Sequence, residues 1–145
     1  WRACAIGDSC IFHIRNGLLL KSFPLDRSEQ FNRRPILLCS NPENNRPVWK
    51  AVELAEGECQ EGDQFLALTD ALAKWFLCEV EAGRRPWKML EEIQNGGGFK
   101  KFVQQLRAAQ AIRNDDTTLL SIRWIAEEKG KSTEPSRKAK VRGSL

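Results

Sequence analysis

Three aspartates at the ends of apolar segments are the residues best placed to carry chemistry. Asp70 follows an apolar segment at 64–69, and Asp115 and Asp116 directly precede another at 117–124. A carboxylate at the end of a buried strand is costly unless it is paired, hydrogen-bonded or bound to a cation. Carboxylates that converge from separate strands offer the hard oxygen ligands that Mg²⁺ and Mn²⁺ prefer. These residues are therefore candidate ligands of a divalent cation.

Each of these positions also has a purely structural interpretation. Thr69-Asp70 could cap the helix that follows, because Asp accepts hydrogen bonds from free N–H groups at a helix start. Asn114-Asp115-Asp116 could form an ordinary Asx turn. Near the start of the chain, Gly7-Asp8-Ser9 could be a tight turn and nothing more. Taken one at a time, the residues leave both interpretations open.

Other kinds of site are poorly supported by the sequence. There is no Gly-x-Ser-x-Gly elbow, and His13 is the only histidine. Since His13 alternates with Phe12 and Ile14, it faces the opposite side of a predicted strand, where we interpret it as a structural or surface residue. The glycine run 96–98 lacks the Lys and Ser/Thr of a phosphate-binding loop and favours a flexible linker.

The five cysteines indicate the redox compartment. Their number is odd, their spacing is wide and several have apolar neighbours; they are Cys4, Cys10, Cys39, Cys59 and Cys78. This pattern is not that of a disulfide framework or a zinc site. It predicts buried, reduced thiols in a cytoplasmic protein.

The elements that must position the aspartates follow from periodicity and turn signals. Asn16-Gly17 is a strong hairpin signal because both residues tolerate the positive φ angles of a type I′ turn. We predict a three-stranded meander in residues 1–23, a loop-rich stretch to 63, then a strand, three helices and a closing strand. The predicted strands are 2–6, 10–15, 18–23, 48–54, 64–69 and 117–124, and the predicted helices are 71–82, 86–93 and 99–111. This order favours the α+β class, with helices flanking antiparallel sheets.

Size and charge fit one domain with a polar tail. The chain has 145 residues, of which 41% are hydrophobic and 29% charged, and no apolar run is long enough to cross a membrane. The net charge is +4, and residues 130–145 hold five basic side chains and one acidic one. We expect a domain at 1–126 and a basic, disordered tail at 127–145. The tail could make weak phosphate contacts, but nucleic acid is not the partner we expect.

Three segments together resemble a known family. They are 3–9 (ACAIGDS), 62–71 (GDQFLALTDA) and 114–120 (NDDTTLL). In order and spacing they are similar to the Gly-Asp-Ser, Thr-Asp-Gly and Asp-Asn motifs of metal-dependent protein serine/threonine phosphatases, the protein phosphatase 2C family. The resemblance covers about residues 2–124.

The resemblance implies a fold, a reaction and a set of ligands. The fold would be an α-β-β-α sandwich with two Mn²⁺ or Mg²⁺ ions between its sheets. Asp70 and Asp115 would be metal ligands, and Asp8 and Asp116 would support the site. The reaction would be hydrolysis of phosphoserine and phosphothreonine in a phosphoprotein substrate by a metal-activated water.

The chain also departs from the family pattern. Ala71 stands in place of a Gly, Asp116 in place of an Asn, and Cys10 where many relatives have an Arg. The family's early Asp-Gly pair, first acidic ligand and phosphate-binding Arg would lie before Gly7, and none is present. We therefore expect the C-terminal portion of such a phosphatase, lacking its N-terminal part. The alternative is a catalytically inactive, phosphatase-like module that binds a phosphoprotein or another partner.

Overall fold

Strands dominate the first part of the chain and helices the second. The computed structural model describes residues 1–31, 35–46, 48–93 and 95–125. Within them the strands are β1 (Arg2–Ala5), β2 (Cys10–Arg15), β3 (Leu18–Phe23), β4 (Glu53–Glu56), β5 (Gln64–Leu68) and β6 (Leu119–Arg123). The helices are α1 (Asp70–Glu81), α2 (Pro86–Glu91) and α3 (Gly96–Ala108), and short 3₁₀ turns lie at Ser28–Gln30, Pro42–Asn45 and Val48–Ala51.

The larger sheet has four antiparallel strands in the order β3-β2-β5-β6. The predicted hairpin between β2 and β3 is confirmed, since Asn16 and Gly17 both adopt positive φ angles, of 51° and 69°. β2 lies in the middle and pairs with β5 on its other side, and β5 pairs with β6. The predicted α+β class with antiparallel sheets is therefore confirmed.

The predicted three-stranded meander is wrong at its first strand. β1 pairs with β4 in a separate two-stranded sheet, in which Arg2 lies opposite Glu56 and Ala5 opposite Glu53. The turn that begins at Gly7, where φ is 97°, carries the chain from this sheet to the other. Turn residues specify a change of direction but not the partner of the strand before it.

The segment that pairs with β1 is also displaced from its prediction. Residues 48–54 were predicted as a strand, but Val48–Ala51 forms a 3₁₀ turn and β4 runs from Glu53 to Glu56. Charged residues stand at both ends of this short strand, and its partner is about fifty positions away. Pairing with β1 therefore sets its bounds, rather than a local apolar pattern.

The main core lies between the four-stranded sheet and the helices. Phe12 of β2 stacks on Phe76 of α1 with ring centroids 4.0 Å apart, and neither side chain is exposed to solvent. Phe76 also approaches Trp87 of α2, and Val103 and Leu106 of α3 complete the same cluster. Burial of this apolar surface supplies the main driving force for folding.

The opposite face of the sheet carries a second, smaller aromatic cluster. His13 stacks on Phe65 at 4.5 Å, and the Trp1 ring meets both edge-on. Trp1 precedes β1, and Lys21 of β3 donates to the backbone carbonyl of Glu56 in β4. These contacts hold the two-stranded sheet against one part of this face.

The remaining part of this face, along β6, is less covered. Leu120 lies opposite Ala67 and Ile122 opposite Phe65, so both belong to the same face as His13. Their exposed fractions are 53% and 50%.

The glycine run after α2 is part of a helix. α3 begins at Gly96, three residues before the predicted start, and the expectation of a flexible linker at 96–98 is wrong. Asn95 caps the helix, because its side-chain oxygen accepts a hydrogen bond from the N–H of Gly98 at 2.9 Å. A strong N-cap residue offsets the poor helix propensity of glycine in the first turn.

Two further expectations concern thiols and the tail. All five cysteines are free, as predicted, but only Cys10 is buried; Cys4, Cys39 and Cys78 are exposed and Cys59 is intermediate. No helix in the described parts of the chain is long and apolar enough to cross a bilayer. The predicted basic tail at 127–145 lies outside the described residues.

Candidate functional site

The three family-like segments come together at one end of the strands in the four-stranded sheet. Cys10, the first residue of β2, lies opposite Leu68, the last residue of β5. Leu68 in turn lies opposite Leu119, the first residue of β6. In antiparallel pairs the start of one strand meets the end of its neighbour. The turn before β2, the start of α1 and the loop before β6 therefore meet at this end of the strands.

The predicted site residues Asp8, Asp70 and Asp115 lie in those three segments. Partial burial raises the pKa of Asp8, and the negative charge of Asp70 raises it further, while Arg113 lowers it. The negative charge of Asp115 also raises the pKa of Asp8, by less than that of Asp70. Charges interact this way only at short range in a solvated protein. The fold thus gathers three of the four predicted side chains in one neighbourhood.

Asp70 is paired with a cation from the neighbouring loop. It is the first residue of α1, where a negative charge interacts favourably with the helix dipole. Arg113 Nη2 donates to Asp70 Oδ2 at 2.8 Å, and the two side chains are 50% and 23% exposed. This role of Arg113 is not predicted from the sequence. The only signal was its position next to Asn114-Asp115-Asp116.

Asp115 and Asp116 form the turn that leads into β6. The side chain of Asp115 accepts a hydrogen bond from the N–H of Asp116 at 2.8 Å, and its backbone carbonyl accepts one from Arg107. This contact joins adjacent residues, whereas the predicted Asx turn would have the side chain accept from the N–H two residues further on. It fixes the carboxylate of Asp115 close to the backbone of its own loop.

Thr69 connects this loop to the start of α1. Its hydroxyl donates to the backbone carbonyl of Asp116 at 3.2 Å and accepts from the N–H of Thr118 at 2.9 Å. The side chain makes no hydrogen bond that caps the helix, although Thr69 occupies the N-cap position. Thr69 therefore holds the loops of Asp70 and Asp116 together.

The donor set fits only part of a metal site. Asp8, Asp70 and Asp115 offer carboxylate oxygens, which suit Mg²⁺ or Mn²⁺. Among the described residues, however, no group of three or more His, Cys, Asp or Glu side chains is arranged to hold a metal ion. The assignment of Asp70 and Asp115 as ligands stays a prediction. A cation there would have to compete with Arg113 for Asp70.

A cleft adjoins Asp8. Its volume is about 390 Å³. Its polar lining residues include Asp8, Gln30, Lys50 and Glu53, and its apolar ones are Leu25, Pro35, Ile36, Ala51 and Val52. It lies within the size range of small ligand pockets. The long loop between β3 and β4 supplies most of this lining.

A second polar cluster lies on the inner side of the small sheet. Asp63, directly before β5, is fully buried and accepts hydrogen bonds from Arg15 Nε at 2.6 Å and Nη2 at 2.7 Å. The N–H of Gln60 donates to it at 2.8 Å, and His13 Nε2 lies 2.9 Å from the same carboxylate. The paired Arg15 holds the pKa of Asp63 well below its usual range.

This cluster confirms a structural role for His13, which is 5% exposed, and excludes a surface position. In the sequence, Asp63 stands out only as part of the family-like segment 62–71. Its Gly-Asp pair at the start of an apolar strand was the available signal, but neither partner was predicted. The four contacts saturate the carboxylate, so the cluster anchors the sheet rather than offering a ligand position.

No protein-family model, curated protein or solved structure matches this chain.

Proposed function

We propose that this chain forms part of a metal-dependent hydrolase that removes phosphate from phosphoserine and phosphothreonine residues of proteins. The observation that carries the proposal is the strand register that brings the turn of Asp8, the start of α1 at Asp70 and the loop of Asp115 to one end of the sheet. The negative charges of Asp70 and Asp115 both raise the pKa of Asp8, which agrees with this placement. These are the positions that the family resemblance assigns to the metal site. Carboxylates brought together at such a cost favour a cation-binding role.

In this proposal each of the site residues has a separate role. Asp70 and Asp115 would hold Mn²⁺ or Mg²⁺, with Asp8 and Asp116 adding negative charge around them. Thr69 would keep the two ligand loops in register through its contacts with Asp116 and Thr118. When bound, a pair of such ions supplies an activated water and neutralises phosphoryl charge.

The finer fold belongs to the same proposal. The α-β-β-α sandwich is supported by the small sheet of β1 and β4, which Trp1 and Lys21 hold against the sheet face opposite the helices. The half-exposed Leu120 and Ile122 on that face support a larger second sheet in the complete domain. Free thiols support a reducing, cytoplasmic location.

A second candidate is an inactive phosphatase-like module that binds a phosphoprotein or another partner. The ion pair of Arg113 with Asp70 favours it, because a bound guanidinium occupies a carboxylate that a metal would need. Arg113 would then replace the cation as the positive charge of the site. This module would bind a phosphorylated peptide without turnover.

Calorimetric titration with Mn²⁺, together with hydrolysis of a phosphoserine peptide, separates the two candidates. For the hydrolase, Asp115→Asn should weaken Mn²⁺ binding by at least about tenfold, a change typical of damage to a metal site. Arg113→Gln should strengthen Mn²⁺ binding, because it frees Asp70. The matched control is Glu92→Gln, an exposed carboxylate after α2, which should change neither measurement.

The outcomes distinguish the proposals clearly. Mn²⁺-dependent turnover that survives both Asp70→Asn and Asp115→Asn would contradict the assigned ligands. Peptide binding without Mn²⁺ dependence or turnover, lost in Arg113→Gln, would instead establish the inactive module.

A further inference from the structure

The cleft beside Asp8 has a character that the proposed hydrolysis does not by itself require. Five of its lining residues are apolar, although it opens at the surface next to charged side chains. The apolar wall is built by Leu25, after β3, by Pro35 and Ile36, and by Ala51 and Val52, before β4. A water-filled approach to a phosphate site would not need such a wall.

An exposed apolar segment continues from this cleft onto the surface. Ile36, Leu37 and Leu38 are 52%, 66% and 55% exposed. Consecutive large apolar side chains at such exposure are uncommon on a protein surface and mark interaction sites. The backbone carbonyl of Ile36 passes close to Gly7, so this segment lies directly against the turn that carries Asp8.

We propose that this cleft binds the residue next to the phosphorylated residue of a substrate peptide, and that it selects a large apolar side chain there. The inference rests on the proposed function, since Asp8 places the cleft beside the predicted metal site. An extended peptide moves about 3.3–3.6 Å per residue. A side chain adjacent to the phosphoserine would therefore reach a cleft that shares Asp8 with that site.

The charges around the cleft define which neighbours are rejected. Asp8 and Glu53 are both lining residues, so an acidic side chain next to the phosphoserine would meet two negative charges. Lys50 is the complementary charge in the same lining and is exposed. A lysine ammonium is suited to a phosphate oxygen. Lys50 would therefore strengthen binding of every phosphorylated peptide without affecting the choice of neighbour.

The test uses binding, so that turnover does not interfere. Fluorescence anisotropy would measure affinities in Mn²⁺ for four labelled peptides that carry a non-hydrolysable phosphonate in place of phosphoserine. The peptides would differ only in the two flanking residues, which are Leu, Gly, Glu or Lys. Burying a leucine side chain predicts an advantage of about tenfold for the Leu peptide over the Gly peptide. The Glu peptide should bind most weakly.

Matched variants assign the effect to the cleft. Ile36→Ser should remove the preference for Leu, whereas Leu38→Ser, in the same exposed segment but outside the cleft lining, should keep it. Lys50→Met should weaken all four peptides, whereas Lys88→Met, at an exposed position of α2, should weaken none. Because these side chains are exposed, circular dichroism should show each variant folded.

Each outcome bears on a separate claim. Equal affinities for the Leu and Gly peptides, with Mn²⁺-dependent binding retained, would overturn the apolar cleft and leave the proposed hydrolase intact. Tightest binding of the Lys peptide would also overturn the proposed apolar selectivity, because the charges of Asp8 and Glu53 would then determine which flanking residue is preferred. Absence of Mn²⁺-dependent binding for all peptides would overturn the proposed function and this inference with it.

Discussion

Replacing Asp63 with alanine should destabilise the protein more than the loss of any exposed ion pair. Asp63 is completely buried, and four contacts converge on its carboxylate, from Arg15, His13 and the N–H of Gln60. Alanine would leave these polar groups largely buried and without their hydrogen-bond acceptor. Breaking a buried ion pair from one side costs about 3–5 kcal/mol. That is a large fraction of the total stability of about 5–15 kcal/mol for a typical domain.

The same carboxylate gives the stability a defined dependence on pH. The pKa of Asp63 is lowered in the folded protein, chiefly by its hydrogen bonds to Arg15, so the unfolded chain binds its proton at higher pH. The contribution is therefore fully present above the ordinary aspartate pKa of about 3.9 and is lost as the pH falls toward the folded value. Asp63→Asn should remove this part of the acid sensitivity.

Urea denaturation at pH 7 and at about pH 2, below the ordinary aspartate pKa, followed by tryptophan fluorescence, would measure both effects. The matched control is Glu79→Ala, which removes a similar two-point contact with Arg84 at the surface, where Arg84 is 60% exposed. Exposed pairs contribute little because solvent screens them. If Asp63→Ala lost no more stability than Glu79→Ala, the argument that this cluster anchors the sheet would be refuted.

Three further predictions concern local backbone and thiol chemistry. Gly83→Ala should destabilise the protein by about 1 kcal/mol in thermal denaturation, because Gly83 follows α1 at φ 76°, where L-residues are strained. Gly98→Ala should raise stability by about 0.5–1 kcal/mol, since it lies in the first turn of α3, where an added Cβ would make only ordinary contacts. Iodoacetamide should label Cys39 early and Cys10 last in the folded protein, as mass spectrometry would show. Hydrogen bonds from Asn41 and Asn44 lower the pKa of Cys39, whereas burial raises that of Cys10 to about 12. Early labelling of Cys10, or an unchanged Gly83→Ala melting temperature, would contradict these assignments.

The parts of the fold that the sequence predicts correctly depend on local signals. Asn16-Gly17 defines the β2–β3 hairpin because only a few residue types accept two consecutive positive φ angles. α1 is predicted within one residue at each end because its apolar residues recur at helical spacing and Gly83 follows it. Neither case needs knowledge of a distant partner.

The incorrect predictions concern elements whose bounds or partners depend on a contact that local sequence patterns do not show. β1 pairs with β4, whose residues lie about fifty positions away and have charged ends. No local pattern in Glu53–Glu56 shows this pairing. The early start of α3 depends on one side-chain contact, from Asn95 to Gly98, which overrides the low helix propensity of the glycine run.

The same distinction between local and distant signals applies to the residues of the candidate site. Asp8, Asp70 and Asp115 could be predicted because each ends or precedes an apolar strand and occurs in a recognisable motif. Arg113 could not, because its pairing with Asp70 depends on the register that places β6 beside β5. The contact between His13 and Asp63 was not predicted for the same reason, since fifty residues separate the two side chains.

The two polar clusters differ in how completely the protein itself neutralises their carboxylate charges. At Asp63 the carboxylate is buried, and an arginine, a histidine and a backbone N–H saturate it, so no oxygen remains for a ligand. At the opposite end of β5 the negative charges of Asp70 and Asp115 raise the pKa of Asp8, and Arg113 pairs with Asp70. Repulsion on the Asp8 carboxylate that Arg113 only partly offsets favours binding of an external cation. Because its carboxylate is saturated, the first cluster anchors the sheet, whereas our proposal of metal binding concerns the second.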